Sequence, residues 1–454
     1  MTSPPAVLRV VVVNFNGGQL VEDCVQSLLD QRPVVGVDEM SIVVVDNASH
    51  DGSAEALEER FGRDVMVLRN PINAGFVAAN VGMSSIDGLP DPRWVALVNP
   101  DATLAEGCLA ALVEAVEADP GIGAASPCMV FTHQFVDLEV ESPPSRFGGD
   151  PRPLAVQVRS VVVDGVERLH QVAAGPGVHD PEHDSAGAFR WLAPQATLGV
   201  PVGRDSAAPI AAVGLWAPEK VTAVVGGEAV TVGPQGTTAT VPLTRARGDR
   251  IANAGSLVFD DGSGADRGHF AVDGPPFDEA TDVFVWCGGG VLLRWDYLRD
   301  VGTFEPSLFL YYEDTDLAWR GASRGWRHRY VPKARMFHVQ GASGGAGSDR
   351  FVVSNTRNRL VVTVRNASWR VVRRAWVDTV WEIWAALRNR VVVPALHGRR
   401  PSTHRLALLV RGMGGAVGAL PAALGARRRL ARRATVGRDV LESGLVPRRG
   451  RGAK

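Results

Sequence analysis

WVALVNPDATL, residues 94–104, decides the fold. Five apolar residues run into an amide, a proline and a carboxylate, the pattern of a buried strand whose end hands polar groups to a ligand. The pattern also occurs upstream, where LRVVVVNFN (8–16) ends in Asn14 and Asn16 and MSIVVVDNAS (40–49) carries Asp46 and Asn47. Between and after these runs, LVEDCVQSLLDQ (20–31) and SAEALEERF (53–61) space their apolar residues as helices do, and VMVLRN (65–70) adds a short apolar run. Buried strands alternating with amphipathic helices predict an α/β sheet with crossover helices, in which ligands bind outside the carboxyl ends of the strands. Amides and acids at three strand ends are therefore expected on one cleft.

The chain has 454 residues, of which 45% are hydrophobic, enough for two to four domains with a sizeable core. Over residues 135–249 the texture changes to short alternating runs with frequent Gly and Pro, such as LAVQVRSVVVDG and KVTAVVGGEAVTVG, which predicts an inserted all-β, sandwich-like module. The expected organisation is an α/β half at 1–134, the insertion at 135–249, a second α/β half at 250–365 and a separate tail at 366–454. Four cysteines without CxxC pairing argue against a zinc site or a disulfide framework and fit a reducing cytosol. The first residues, MTSPPAVLRVVVVNFN, read as a strand rather than as an export signal.

A net charge of −1 hides an asymmetry: residues 365–454 hold 20 Lys or Arg against 4 acids, a charge of +16, which leaves −17 for residues 1–364. Apolar stretches such as WVDTVWEIWAALRNRVVV interleave with the basic ones. That mixture predicts helices lying on an anionic membrane surface, and no nucleic acid partner. The uncharged run 412–426 is shorter than the ~20 residues of a span.

Several segments carry chemistry. Asn99 and Asp101, two apart at a strand end, face one side, and magnesium or manganese suits such oxygen ligands; an Asx-type turn is the bland alternative. Asn73 and Gly75 sit in NPINAGFVAANVGMSS (70–85), a glycine-hinged turn able to approach a nucleotide, or simply to pack. Three glycines in WCGGGVLLRWDYL (286–298) mark a close approach of backbone to a sugar or to another strand. His338, in VPKARMFHVQGAS, is either a metal or phosphate ligand or a structural histidine. LYYEDTDLAWR (310–320) packs Glu313, Asp314 and Asp316 behind two tyrosines, which suits a helix start as well as a general base. With neither GxGxxG nor GxxxxGK[ST] present, dinucleotide and P-loop sites have no support.

In this order, VVVNFNGG, VVVDNASHDGS, NAGFVAANVG, LVNPDATL, WCGGGVLLRWDYL, LYYEDTDLAWRGASRGW, VPKARMFHVQGAS and NTRNRLVV resemble the glycosyltransferase family 2 enzymes of GT-A fold, and among them the rhamnosyltransferase-like subset. The resemblance covers roughly residues 7–130 and 250–365. It implies a Rossmann-like mixed sheet, an inverting transfer without a covalent intermediate, and a nucleotide-diphosphate sugar donor, most plausibly dTDP-rhamnose, with a UDP-sugar as the alternative. It further implies a glycan or lipid-linked acceptor of the cell envelope, reached from the cytoplasmic face of the plasma membrane. By resemblance Asp46, Asn14, Asn73 and Gly75 line the nucleotide pocket with Asn99 and Asp101. Asp101, the last acid of a DxD motif that here reads Asn99-Pro100-Asp101, holds a divalent cation with His338. Asp314 is the base with Glu313 beside it, and Trp286, Tyr312 and Asp316 fall on the acceptor side. A nucleotidyltransferase would need a basic loop after the first strand, which NFNGGQLVEDC lacks. A carbohydrate-binding scaffold with an inactive transferase domain is the reading from another class, and the presence of both Asp101 and Asp314 argues against it.

Overall fold

The computed structural model describes residues 6–145, 150, 152–184, 186–339, 348–398 and 400–448. The chain forms two compact units, one of residues 1–129, 253–268 and 275–454, the other of residues 130–252 and 269–274.

In the first unit the strands Val7–Asn14, Glu39–Asp46, Val65–Arg69 and Trp94–Val98 pair in parallel, in the order 65–69, 39–46, 7–14, 94–98. The Val- and Leu-rich sequences of Val7–Asn14 and Trp94–Val98 and the run 42–46 are buried on both faces because helices such as Gly18–Leu29 and Ser53–Phe61 cover the sheet, whereas the edge strand Val65–Arg69 is only half-buried. Beyond Trp94–Val98 the sheet turns antiparallel through Gly290–Arg294, and Arg327–His338 pairs with Ala102–Leu104. The sheet is mixed, as expected, with its parallel half reading most plainly in the sequence. Register then fixes the site: Asn14 lies opposite Asp46, Gly290 opposite Val98, and His338 opposite Ala102, next to Asp101.

The second unit is a β-sandwich. Gln134–Glu141 and Gln195–Val202 belong to one antiparallel sheet, Gln157–Val163 and Ile210–Trp216 to the other, and both contribute alternate residues to one core that includes Val136, Leu138, Val161 and Val213.

The tail does not stand apart, which corrects the expectation of a separate region at 366–454. Helices Trp369–Leu387 and His404–Arg433 pack on helix Asp349–Asn366, and Ala416, Ala423 and Leu445 join the core that also holds Leu317 and Trp319. Gly412 permits the approach, since a Cβ there would lie 2.8 Å from Thr356 Cβ. Much of the basic charge is spent inside. Arg427 donates to the carbonyls of Val364 and Ala367 at 2.8 and 2.6 Å, satisfying the open end of the preceding helix, while Arg374 pairs with Asp260 and Arg448 with Asp261. Local sequence shows charge but not a distant acid, and so these arginines read as solvated.

Candidate active site

At the carboxyl end of Val7–Asn14 the Asn14 side chain is fully buried. Its Nδ2 donates to Asp46 Oδ1 at 3.0 Å and to Ser53 Oγ at 2.9 Å, and its Oδ1 accepts from the Gly17 N–H at 3.2 Å. Asn14 therefore orients Asp46 rather than meeting a ligand itself. Asn47, equally buried, joins this strand end to the next loop. Its Nδ2 donates to Asn73 Oδ1 at 2.9 Å and to the Gly75 carbonyl at 3.0 Å, and its Oδ1 accepts from the Ala74 N–H at 2.9 Å. No role was foreseen for Asn47 beyond its place at a strand end; only the fold reveals these partners.

Gly75 has φ +75°, and a Cβ there would overlap the carbonyl oxygen of Phe309. The close approach of Gly75 is thus to the protein's own chain, since the loop that carries it and the loop before Glu313 lock together at that point. This second loop is strained. Phe309, Tyr311 and Tyr312 have φ of 58°, 70° and 69°, a region costing non-glycine residues on the order of 1–3 kcal/mol each. Asn358, buried on helix Asp349–Asn366, holds it in place: its Nδ2 donates to the carbonyls of Leu308, Leu310 and Tyr311 at 2.7, 3.0 and 2.8 Å. The amide is itself aimed by Arg357, which donates to Asn358 Oδ1 at 2.6 Å. The signal for Asn358 in the sequence is a polar residue on the inward face of NTRNRLVV, legible only once that face is known. Asn358→Ala is expected to lower kcat by about 100-fold, the cost of misplacing a catalytic loop by about an ångström, with the donor-induced rise in Tm retained. Normal turnover by this variant would show that the loop needs no clamp.

Helix Glu313–Ser323 starts from that loop. Asp314 Oδ2 accepts from the Gly288 N–H at 3.2 Å, and Oδ1 from the Thr315 N–H at 2.6 Å and hydroxyl at 3.2 Å. Burial pushes the Asp314 carboxyl above its ordinary value, against the pull of these donors. Burial, reinforced by the Asp314 charge, drives Glu313 well above the carboxylate range, and Glu313 Oε2 has no hydrogen-bond partner among the described residues. Glu313 is thus the carboxyl more disposed to keep its proton, beside an Asp314 held by three donors. Glu313→Gln, an isosteric neutral side chain, is expected to keep kcat within about tenfold of the parent, and a larger loss would show that Glu313 must ionise.

On the other side, His338 Nε2 stands 3.2 Å from Asp101 Oδ1 and 3.5 Å from Asn99 Nδ2. Two ligands at right angles on an ion with bonds of about 2.1 Å are about 3 Å apart, so this carboxylate and imidazole fit one magnesium or manganese ion. No group of three or more His, Cys, Asp or Glu converges among the described residues. Substrate oxygens and water would complete the shell.

The glycine run joins the two sides. Gly288 reaches Asp314, and a Cβ on it would touch Phe76; the Gly289 carbonyl accepts from the Asn99 N–H at 2.9 Å, and a Cβ at Gly289 would lie 3.2 Å from Asn99 Nδ2. One stretch of backbone thereby links the Asn99, Asp101 and His338 group to Asp314.

Three acceptor-side expectations are corrected. Trp286 is fully buried in the core near Phe304, and Tyr312 is buried with its hydroxyl accepting from the Gly264 N–H at 3.2 Å. Asp316 is fully buried, accepting from Arg320 Nε at 2.9 Å, Arg365 Nε at 2.7 Å and Asn366 Nδ2 at 2.8 Å. Each lies on the inward side of its element, and local sequence does not tell the two sides apart. Tyr311 is the tyrosine that stays partly exposed, edge-on to Phe351 at 5.0 Å.

Residues 9–146 match the family model described as Glycosyl transferase family 2, and residues 265–387 that of Glycosyl transferase family group 2. Over 130 residues the chain is 30% identical to the N-acetylglucosaminyl-diphospho-decaprenol L-rhamnosyltransferase of Mycobacterium tuberculosis, in strains CDC 1551 / Oshkosh and ATCC 25618 / H37Rv. That alignment takes in 28% of this chain and 40% of those proteins, so the chain matches less than half the length of these curated relatives. Among solved structures, GalNAc-T7 with UDP, GalNAc and Mn2+ aligns with a TM-score of 0.44 and 13% identity over 93% of this chain and 58% of that one. The mannosyltransferase PcManGT of Pyrobaculum calidifontis, in complex with GDP-Man and Mn2+, aligns with a TM-score of 0.41 and 15% identity over 95% and 86%.

Proposed function

Because the chain belongs to glycosyl transferase family 2, we propose that it performs a cation-assisted, inverting transfer of a hexose from a nucleotide diphosphate to a cell-envelope glycan or its lipid-linked precursor, at the inner face of the plasma membrane. The rhamnosyltransferase relative supports rhamnose as the sugar, and dTDP as its carrier is the choice that the motif resemblance implies. One observation carries the reading: Asp314 and the Asn99, Asp101 and His338 group flank a single glycine run. Asp314 accepts the proton of the acceptor hydroxyl as its oxygen bonds to the anomeric carbon from the face opposite the leaving group. The bond from that carbon to the diphosphate breaks, and its electron pair leaves with the diphosphate. Asp101 and His338 would hold a divalent cation, which would supply charge stabilisation for the leaving diphosphate. Asp46 and the loop braced by Asn47 hold the nucleoside end.

The test is nucleotide diphosphate release from a panel of donor sugars, with magnesium, manganese or chelator, in the parent and in Asp101→Ala. Release from one donor, abolished by chelator and reduced about 100-fold or more in the variant, is expected. Release indifferent to chelator removes the cation from the proposal, and donor binding with no release under any acceptor returns the chain to the binding-protein class.

A further inference from the structure

The outward side of the tail carries apolar residues for which the fold has no use. Helix Trp369–Leu387 buries Val371, Val372, Ala375, Thr379 and Ala386 against the rest of its unit. Its opposite side presents Val377, Val380, Trp381, Trp384 and Leu387, all more than a third exposed and spaced three or four apart along one face. The rings of Trp381 and Trp384 meet edge-on at 5.5 Å, with the Arg388 guanidinium over Trp384. At the other end of the helix, Trp369, Val372 and Trp376 line an open groove of about 530 Å³ together with Leu420 and Leu424 of helix His404–Arg433, with Arg373 at its rim. On that second helix the exposed Val410 and Val417 lie on the same stripe as Leu424, so both helices offer apolar surface.

We infer that this two-helix face seats on an anionic phospholipid bilayer, with Trp381 and Trp384 inserted at the level of the headgroups. Tryptophan beside arginine is the composition that suits that depth, and the +16 charge of residues 365–454 complements an anionic leaflet. Arg374, Arg427 and Arg448 are engaged by partners within the fold, so they add less to the attachment than the count of charges suggests, and under this proposal the larger part falls to apolar insertion. The face also borders the catalytic loop. Ile383, next to Trp384, packs into the same small cluster as Phe351, whose ring meets Tyr311 in the loop before Glu313. A seated bilayer thus contacts the helix whose other side supports the loop that leads into Glu313 and Asp314, and under the transfer reading above this favours an acceptor anchored in lipid.

The experiment uses the full chain and vesicles of phosphatidylglycerol and phosphatidylcholine with brominated acyl chains. Tryptophan quenching and co-flotation that persist in high salt are expected for the parent. The double variant Trp381→Ser, Trp384→Ser is expected to partition at least about tenfold more weakly with an unchanged Tm. Equal binding and quenching in the variant overturn the proposal. So does attachment lost entirely in high salt, which would make it electrostatic, or a dimer in light scattering that the double variant dissociates, which would give the face to a second copy. None of these readouts involves sugar transfer, so failure here leaves the transferase reading standing, and failure of donor turnover leaves the membrane face standing.

Discussion

Asp314→Asn is expected to lower kcat by about 100- to 10,000-fold while the donor-induced rise in Tm stays near that of the parent. The substitution keeps the shape of the side chain, although its one oxygen can meet only one of the Gly288 and Thr315 N–H donors, which address opposite oxygens of the carboxylate. It loses the ability to take a proton. The same carboxyl predicts a pH profile. Burial raises the Asp314 value, so kcat/KM is expected to fall, as pH drops, at a pH above the ordinary value of an aspartate. Turnover by Asp314→Asn at the parent rate, measured by nucleotide release in single-turnover mode, would remove Asp314 from the base role.

Asp316→Ala, two residues away, is expected to fail differently: it lowers stability by roughly 3–5 kcal/mol, the usual effect of removing one partner of a buried ion pair. Arg320 and Arg365 would lose the carboxylate that neutralises both, and Glu305, 2.8 Å from Arg365, compensates only one of them. Burial alone would raise the Asp316 value, but the charges of Arg320 and Arg365 and the hydrogen bonds from Arg365 and Asn366 outweigh it and hold the carboxyl at about 2. A depressed carboxyl contributes stability above its unfolded value near 4, and that contribution is lost as pH falls toward 2. Thermal unfolding between pH 2 and pH 6 should show the parent losing stability over that window, with the variant already low at pH 6. A Tm at pH 6 within a few degrees of the parent would show that the cluster is dispensable.

The contrast between these two acids marks how far the sequence is legible. The Val-rich runs ending at Asn14, Asp46 and Val98 announce a sheet, because a strand buried on both faces needs such residues wherever it occurs. The types of residue at the site are also legible, since acids and amides at strand ends have few other reasons to gather. Orientation is not. Asp314 and Asp316 stand in the same first turn of one helix, but one points at Gly288 and the other at Arg365, 49 positions further along the chain. Asn358 and Asn47 are illegible for the same reason: most of their partners lie on segments remote in sequence, which no local pattern encodes. The exposed tryptophans of the tail were legible as an amphipathic pattern, whereas the use of its arginines inside the unit was not.

The weaving of the tail into the first unit also orders events during synthesis. Asp314 leaves the ribosome long before Asn358, which aims its loop, before Arg365, which neutralises the helix behind it, and before Leu445, which closes the core under both. A nascent chain halted before Leu445 carries all the side chains assigned to donor, cation and base, but lacks the packing that fixes their spacing. Such a chain is expected to be less ordered at the site than one in which Leu445 has joined the core.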